Sequence, residues 1–125
     1  MTVQALFHHV SIPRPLGTES QQKARAFYGG LLELREIPVP HTLAHLDLVW
    51  YAVGTQELHL FGEEPRHDDS GRHFCMQVSD QATLRMRLIA AGVPCSDTTP
   101  IPDRPRFFCT DPFGNMIEIT TIIAQ

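Results

Sequence analysis

Long apolar runs are missing from this sequence. None approaches the roughly 20 residues that a membrane-spanning helix needs, and no basic segment followed by an apolar core opens the chain. A cytoplasmic protein without a membrane partner is therefore expected. Cysteine is scarce as well. Cys75, Cys95 and Cys109 are odd in number and not closely spaced, which excludes a disulfide framework or a zinc knuckle and fits reduced thiols. Clustered Lys and Arg are absent, and the formal charge is −4, so a nucleic-acid surface is excluded too. At 125 residues the chain can bury one core and not two ordinary ones. Hydrophobic content of 42% with 19% charged residues describes a globular protein. What the chain does have is histidine, seven in all.

The most structured stretch runs from Asp111 to Ile119. Asp111-Pro112 and Gly114-Asn115 are turn punctuation between two β-like runs, 106–110 and 116–123. Side chains alternate along a strand. Ile117 and Ile119 therefore share one face, and Met116, Glu118 and Thr120 the other. A carboxylate buried there without a partner costs several kcal/mol, so Glu118 calls for one.

The rest of the chain reads in order. Residues 5–12 alternate as a strand, with Phe7, His9 and Ser11 on one face. Pro13, Pro15 and Gly17 end it. A helix is expected over 19–32, with a Thr18/Gln21 capping box and a stripe of Ala24, Phe27, Tyr28 and Leu31. Short strands at 33–37, 46–53 and 57–61 follow. In the last of these Glu57, His59 and Phe61 share a face. A polar linker leads to a strand over 72–78, which sets His73, Cys75 and Gln77 on one side. Asp80 caps a helix ending near Ala91, with Leu84, Leu88 and Ala91 inward; Gly92 and Pro94 stop it. A weak strand at 94–99 and the closing hairpin complete the chain. His41, His45 and His67 fall in loops. Tyr28 reads as core, and Cys75 and Cys109 as packing residues rather than nucleophiles.

Set side by side, the two halves repeat. His9 answers to His73, helix to helix, Trp50-Tyr51 to Phe107-Phe108, and His59 to Glu118. This predicts two copies of one βαβββ unit, about 1–62 and 72–125, joined by a linker at about 63–71. At all four positions the metal-capable side chain lies opposite the apolar alternation. The expectation is a cleft lined by His9, His59, His73 and Glu118. That donor set suits a divalent ion.

With these residues in view the chain resembles the vicinal oxygen chelate superfamily, the glyoxalase / bleomycin-resistance / extradiol-dioxygenase group, over almost its whole length. The likeness rests on Phe7-His8-His9-Val10-Ser11-Ile12, Ala26-Phe27-Tyr28 through Leu31-Leu32, Glu57-Leu58-His59-Leu60 and Arg72-His73-Phe74. Above all it rests on Asp111-Pro112-Phe113-Gly114-Asn115 leading to Glu118. It implies an α+β fold of two βαβββ modules in a cupped eight-stranded mixed sheet around a metal cleft. It implies metal ligands at His9, His59, His73 and Glu118, His9 being preferred to His8 by parity. It also implies a homodimer. In one respect the chain departs: relatives with glyoxalase I activity usually carry a carboxylate where His59 stands.

The implied activity is a metal-dependent, glyoxalase-like reaction on a small oxygenated substrate, with Glu118 as ligand, base or both. The ion is Zn, Ni, Mn, Co or Fe(II). Phe7, Trp50, Phe61 and Phe107 would line an apolar pocket. Arg104 and Arg106 are either solvent-exposed charges or contacts for an anionic substrate group. The alternatives are a drug-binding protein of the bleomycin-resistance type without metal, an Fe(II) ring-cleaving dioxygenase, and a thiol transferase acting on an epoxide antibiotic.

Overall fold

The computed structural model describes residues 2–66 and 69–121. The chain falls into two compact units, Met1–Glu64 and Pro65–Gln125, and each carries a four-stranded mixed sheet. His67, expected in the linker, and Ile122 and Ile123, expected in the last strand, lie outside the described residues.

The first unit runs β1 (His9–Arg14), α1 (Thr18–Ala24), a π-helical continuation (Arg25–Leu31), β2 (Arg35–Ile37), a 3-10 turn (His41–Leu43), β3 (Leu48–Val53) and β4 (Gln56–Gly62). Strand order is β1-β4-β3-β2. β1 and β4 are parallel, and the other neighbours antiparallel. The apolar face is built by Val49, Tyr51, Leu58 and Leu60, buried together with Ala24, Phe27 and Tyr28 of the helical segment. Burying side chains of this size is worth about 1.5–3 kcal/mol each. Burial pushes the Tyr51 phenol up to about 12.

Two expectations for this unit are corrected. The first strand starts at His9 rather than residue 5, so Phe7 precedes the sheet and is exposed. The Thr18/Gln21 capping box does not form, because Gly17 is the N-cap and no side chain of the helix caps it. A carboxylate from elsewhere in the chain takes over. Asp47, just before β3, accepts from the Gly17 amide at 2.7 Å and from the Gln21 side chain at 2.7 Å. It also pairs with Arg14 at the end of β1, which is completely buried. Arg14 further donates to the Pro15 carbonyl and the Ser20 hydroxyl. One carboxylate thus binds β1, the start of α1 and β3.

The second unit repeats the plan: β5 (His73–Gln77), α2 (Gln81–Ala90), β6 (Cys95–Ser96), β7 (Arg106–Thr110) and β8 (Met116–Thr120), in the order β5-β8-β7-β6. Here the cap is the one expected. Asp80 accepts from the Thr83 amide at 3.1 Å and the Thr83 hydroxyl at 2.7 Å. Gly92 closes the helix at φ 81°, and Val93 N–H reaches back to the Leu88 carbonyl. Leu84 and Leu88 are buried, whereas Ala91 is exposed rather than inward. They pack with Met76, Phe107, Cys109, Ile117 and Ile119 to form the core of this half.

Candidate functional site

The β7–β8 hairpin sets the position of Glu118. Asp111 Oδ1 accepts the amides of Phe113 (2.9 Å) and Asn115 (2.8 Å), and Asp111 Oδ2 accepts the Asn115 side chain (2.8 Å). Gly114 supplies the positive φ, 93°, that this turn requires. The turn pins Thr110 opposite Met116 and therefore Phe108 opposite Glu118. A slip of one residue would send Glu118 to the helix side.

Glu118 is 7% exposed and has three polar neighbours. His73 Nε2 lies 3.0 Å from Oε1, and Arg106 Nη1 lies 3.5 Å from Oε2. Cys75 is its register partner in β5. The His73 ring meets Phe108 edge-on at 5.0 Å. On its far side His73 Nδ1 is 2.8 Å from the Gly71 carbonyl, so Nδ1 carries the proton and donates it. Burial, followed by the Glu118 charge, pushes the Cys75 thiol up. Burial also drives Cys109 up to about 12. Both thiols stay protonated at neutral pH; Cys109 is buried as a packing residue, whereas Cys75 is exposed and its packing role is corrected.

In the first unit His59 is 8% exposed and held on both faces. Trp50, its register partner, stacks on it at 3.8 Å and 2°. The other face carries His9, stacked at 4.2 Å and 19°. His59 Nε2 lies 2.8 Å from Glu57 Oε1, and that hydrogen bond holds the Glu57 carboxyl below the usual carboxylate range. His9 Nδ1 in turn lies 3.0 Å from His8 Nδ1.

The structure therefore brings the four expected ligands together as two pairs, His9 with His59 and His73 with Glu118. Among the described residues no group of three or more His, Cys, Asp or Glu is gathered around one point.

The two pairs suit a divalent ion differently. With Nδ1–H donated to the Gly71 carbonyl, Nε2 of His73 faces a carboxylate oxygen at 3.0 Å. Two lone-pair bearers 3.0 Å apart call for a proton or a cation. An imidazole tied through its other nitrogen to a backbone carbonyl is the usual arrangement of a metal-binding histidine. This pair fits as it stands. At the other pair the rings are nearly parallel. A ligating imidazole holds its ion in its own plane, so both rings can bind one ion only after His9 turns. His9 is exposed and can do so.

The remaining candidates are placed as follows. Trp50 covers His59. Phe61 is half-buried on the His59 face of β4. Phe107 packs on the helix side, under the Arg85 guanidinium at 5.1 Å; the aromatic beside Glu118 is Phe108, not Phe107. Arg106 is no surface charge. Its side chain is 16% exposed and pairs with Glu118, while Nε and Nη2 donate to the Thr99 carbonyl at 3.2 and 2.8 Å. Arg104 lies in the loop before β7 and is exposed. Glu57 was not singled out from the sequence, although its parity with His59 was visible there.

The sequence model of the Glyoxalase/Bleomycin resistance protein/Dioxygenase superfamily matches residues 6–119. The chain belongs to this superfamily. A glyoxalase family protein from Bacillus anthracis is 31% identical, with a TM-score of 0.87 over 98% of this chain and 99% of that chain. A lactoylglutathione lyase from Agrobacterium tumefaciens is 21% identical, with a TM-score of 0.68 and 96% of each chain covered. The fosfomycin resistance protein FosX from Listeria monocytogenes is 13% identical, with a TM-score of 0.75 over 98% of this chain and 94% of that one. The last two likenesses carry the superfamily fold alone. No curated protein matches the chain. The α+β fold with a repeated βαβββ unit is that of the superfamily. Among the described residues no helix is long and apolar enough to cross a membrane.

Proposed function

We propose that the chain is a metal-dependent, glyoxalase-like enzyme acting on a small oxygenated substrate by proton transfer. The observation that carries this reading is the His73–Glu118 pair: a histidine tied through Nδ1 to Gly71, with Nε2 3.0 Å from a carboxylate that is almost wholly buried. His73 and Glu118 would hold the ion, and His9 and His59 form a second pair of candidate donors within their own unit. A divalent ion bound there polarises a carbonyl and stabilises the oxyanion that develops on it. Glu118 takes the proton from the carbon beside that carbonyl. Arg106 keeps the carboxylate in place and draws its charge toward one side.

Metal analysis of the purified protein tests this. About one divalent ion per chain is expected, removable by chelator. Calorimetric titration of the chelator-treated protein with the ion should saturate near one equivalent, and ¹H–¹⁵N spectra should shift at His73 and Glu118. A chelator-treated protein that takes up none of Zn, Ni, Mn, Co and Fe(II) would overturn the reading. The homodimer is part of the same proposal, and sedimentation should give twice the chain mass of 14.1 kDa.

One observation favours a second reading, a binding protein without metal. The Trp50–His59–His9 stack is already an aromatic platform for a planar drug. A flat aromatic antibiotic that quenches Trp50 equally with and without chelator would select it.

A further inference from the structure

The second unit holds a cleft of about 510 Å³ whose lining includes neither His73 nor Glu118. It lies between the start of α2, the 97–105 loop and the first residues of β7. Strand β6 is only two residues long and pairs with Phe108 and Cys109. The opening residues of β7, Arg106 and Phe107, are therefore left without a β6 partner, and the cleft forms there.

Its lining is strongly cationic for a chain of net charge −4. Three arginines line it: Arg85 is paired with Asp97 and Arg106 with Glu118, and Arg104 has no ion pair among the described residues. Two of the three are held in place before any ligand arrives. Arg85 lies over the Phe107 ring and pairs with Asp97 at 2.6 Å. Arg106 is tied by two nitrogens to the Thr99 carbonyl. Arg104 is set by a tight turn, its amide bonded to the Ile101 carbonyl at 3.1 Å, with Asp103 at φ 61°. The floor is apolar, with Phe107 and Ile101 among its residues. At the helix end Gln81 Oε1 is buried, and no hydrogen-bond partner is found for it among the described residues.

We propose that this cleft is a binding site for a small organic carboxylate. The planar Arg104 guanidinium matches a carboxylate's two oxygens. The apolar floor takes the body of the molecule, and Gln81 Oε1 accepts from a hydroxyl or amine on it. The volume falls in the range of ordinary small-molecule pockets. The site lies within one unit and does not depend on the metal reading.

The test uses the full chain after chelator treatment, with benzoate and 2-hydroxybenzoate as probes and ¹H–¹⁵N spectra as readout. Shifts should cluster at residues 81–85 and 97–107. Affinity should fall with added salt. Benzamide, the neutral isostere, should bind at least about tenfold more weakly, the usual loss for one charge-assisted hydrogen bond. Arg104→Ala should lose a similar factor, and Arg104 is exposed, so an unchanged spectrum elsewhere would show the variant folded. Equal binding of benzamide, full affinity in Arg104→Ala, shifts confined to other parts of the chain, or no shifts at tens of millimolar probe would each overturn the proposal. If metal binding fails while benzoate binds here, the cleft stands and the enzyme reading falls.

Discussion

Glu118→Gln is expected to lower the affinity for a divalent ion by at least about 100-fold. Replacing a group that merely orients a ligand costs 10–100-fold, and Glu118 is proposed as a ligand itself. The amide keeps the shape and one acceptor oxygen but loses the charge that His73 Nε2 and Arg106 Nη1 face. The proton-transfer activity should vanish with it, because an amide is no base. Calorimetric metal titration measures the first effect, and turnover with saturating metal the second. Arg106→Lys is the companion variant. It keeps a positive charge near Glu118 but loses the fork that bonds twice to Thr99, so metal binding should survive while turnover falls. If Glu118→Gln bound metal as tightly as the parent chain, the carboxylate would not be a ligand.

The largest effect on stability is expected at Asp47→Ala, a loss of about 3 kcal/mol. Arg14 is fully buried, and removing its partner leaves a guanidinium without its counter-charge. Pro15 and Ser20 still accept from it, which keeps the figure at the lower end for a broken buried pair. The loss also takes away the amide acceptor at the start of α1. This contribution depends on pH in a definite direction. The Arg14 hydrogen bond, helped by the Gly17 amide and Gln21, lowers the Asp47 carboxyl from the ordinary value near 4 to about 2. A group whose acidity rises on folding stabilises the fold above its unfolded value and ceases to do so as pH falls through its folded value. The stabilisation should thus be complete above about pH 5 and disappear between about pH 4 and 2. The carboxylate is 20% exposed, and screening trims this linkage to about 1–2 kcal/mol. Urea unfolding of the parent and Asp47→Asn at pH 7 and at pH 2.5 measures it. The two midpoints should lie well apart at pH 7 and draw much closer at pH 2.5, where the folded carboxylate begins to protonate. Coincident midpoints at both would show that the ion pair contributes nothing.

The elements were largely legible because their signals are local. Alternation of Ile117 and Ile119 around Glu118, the Asp111–Asn115 turn, and the Asp80 cap with Gly92 each lie within a few residues of what they determine. Repetition of the βαβββ pattern was legible for the same reason. The failures involve residues far apart in the chain. Nothing near Thr18 reveals that Asp47, some 30 residues on, serves the first turn of α1. Burial of Arg14 under that helix is invisible for the same reason. The sequence leaves Arg106 open between an exposed charge and a contact for an anionic substrate group, yet the hairpin register Thr110–Met116 places Phe108 opposite Glu118 and Arg106 on the same face. Counting from the turn would have found both. In the candidate site, parity gave the four donors their faces. It could not show that His59 is stacked between two rings, because stacking depends on rotamers that no strand pattern fixes.

The π-helical stretch from Arg25 to Leu31 closes with Leu32 N–H on the Phe27 carbonyl, five residues back. A wide turn of this kind holds one residue more than an α-helix of the same span. Phe27 and Tyr28 still point into the core, so the surplus is absorbed where Gly29 and Gly30 sit. The chain can therefore vary in length by one at this place without rotating the segments on either side, and a version lacking Gly30 would wind as plain α-helix.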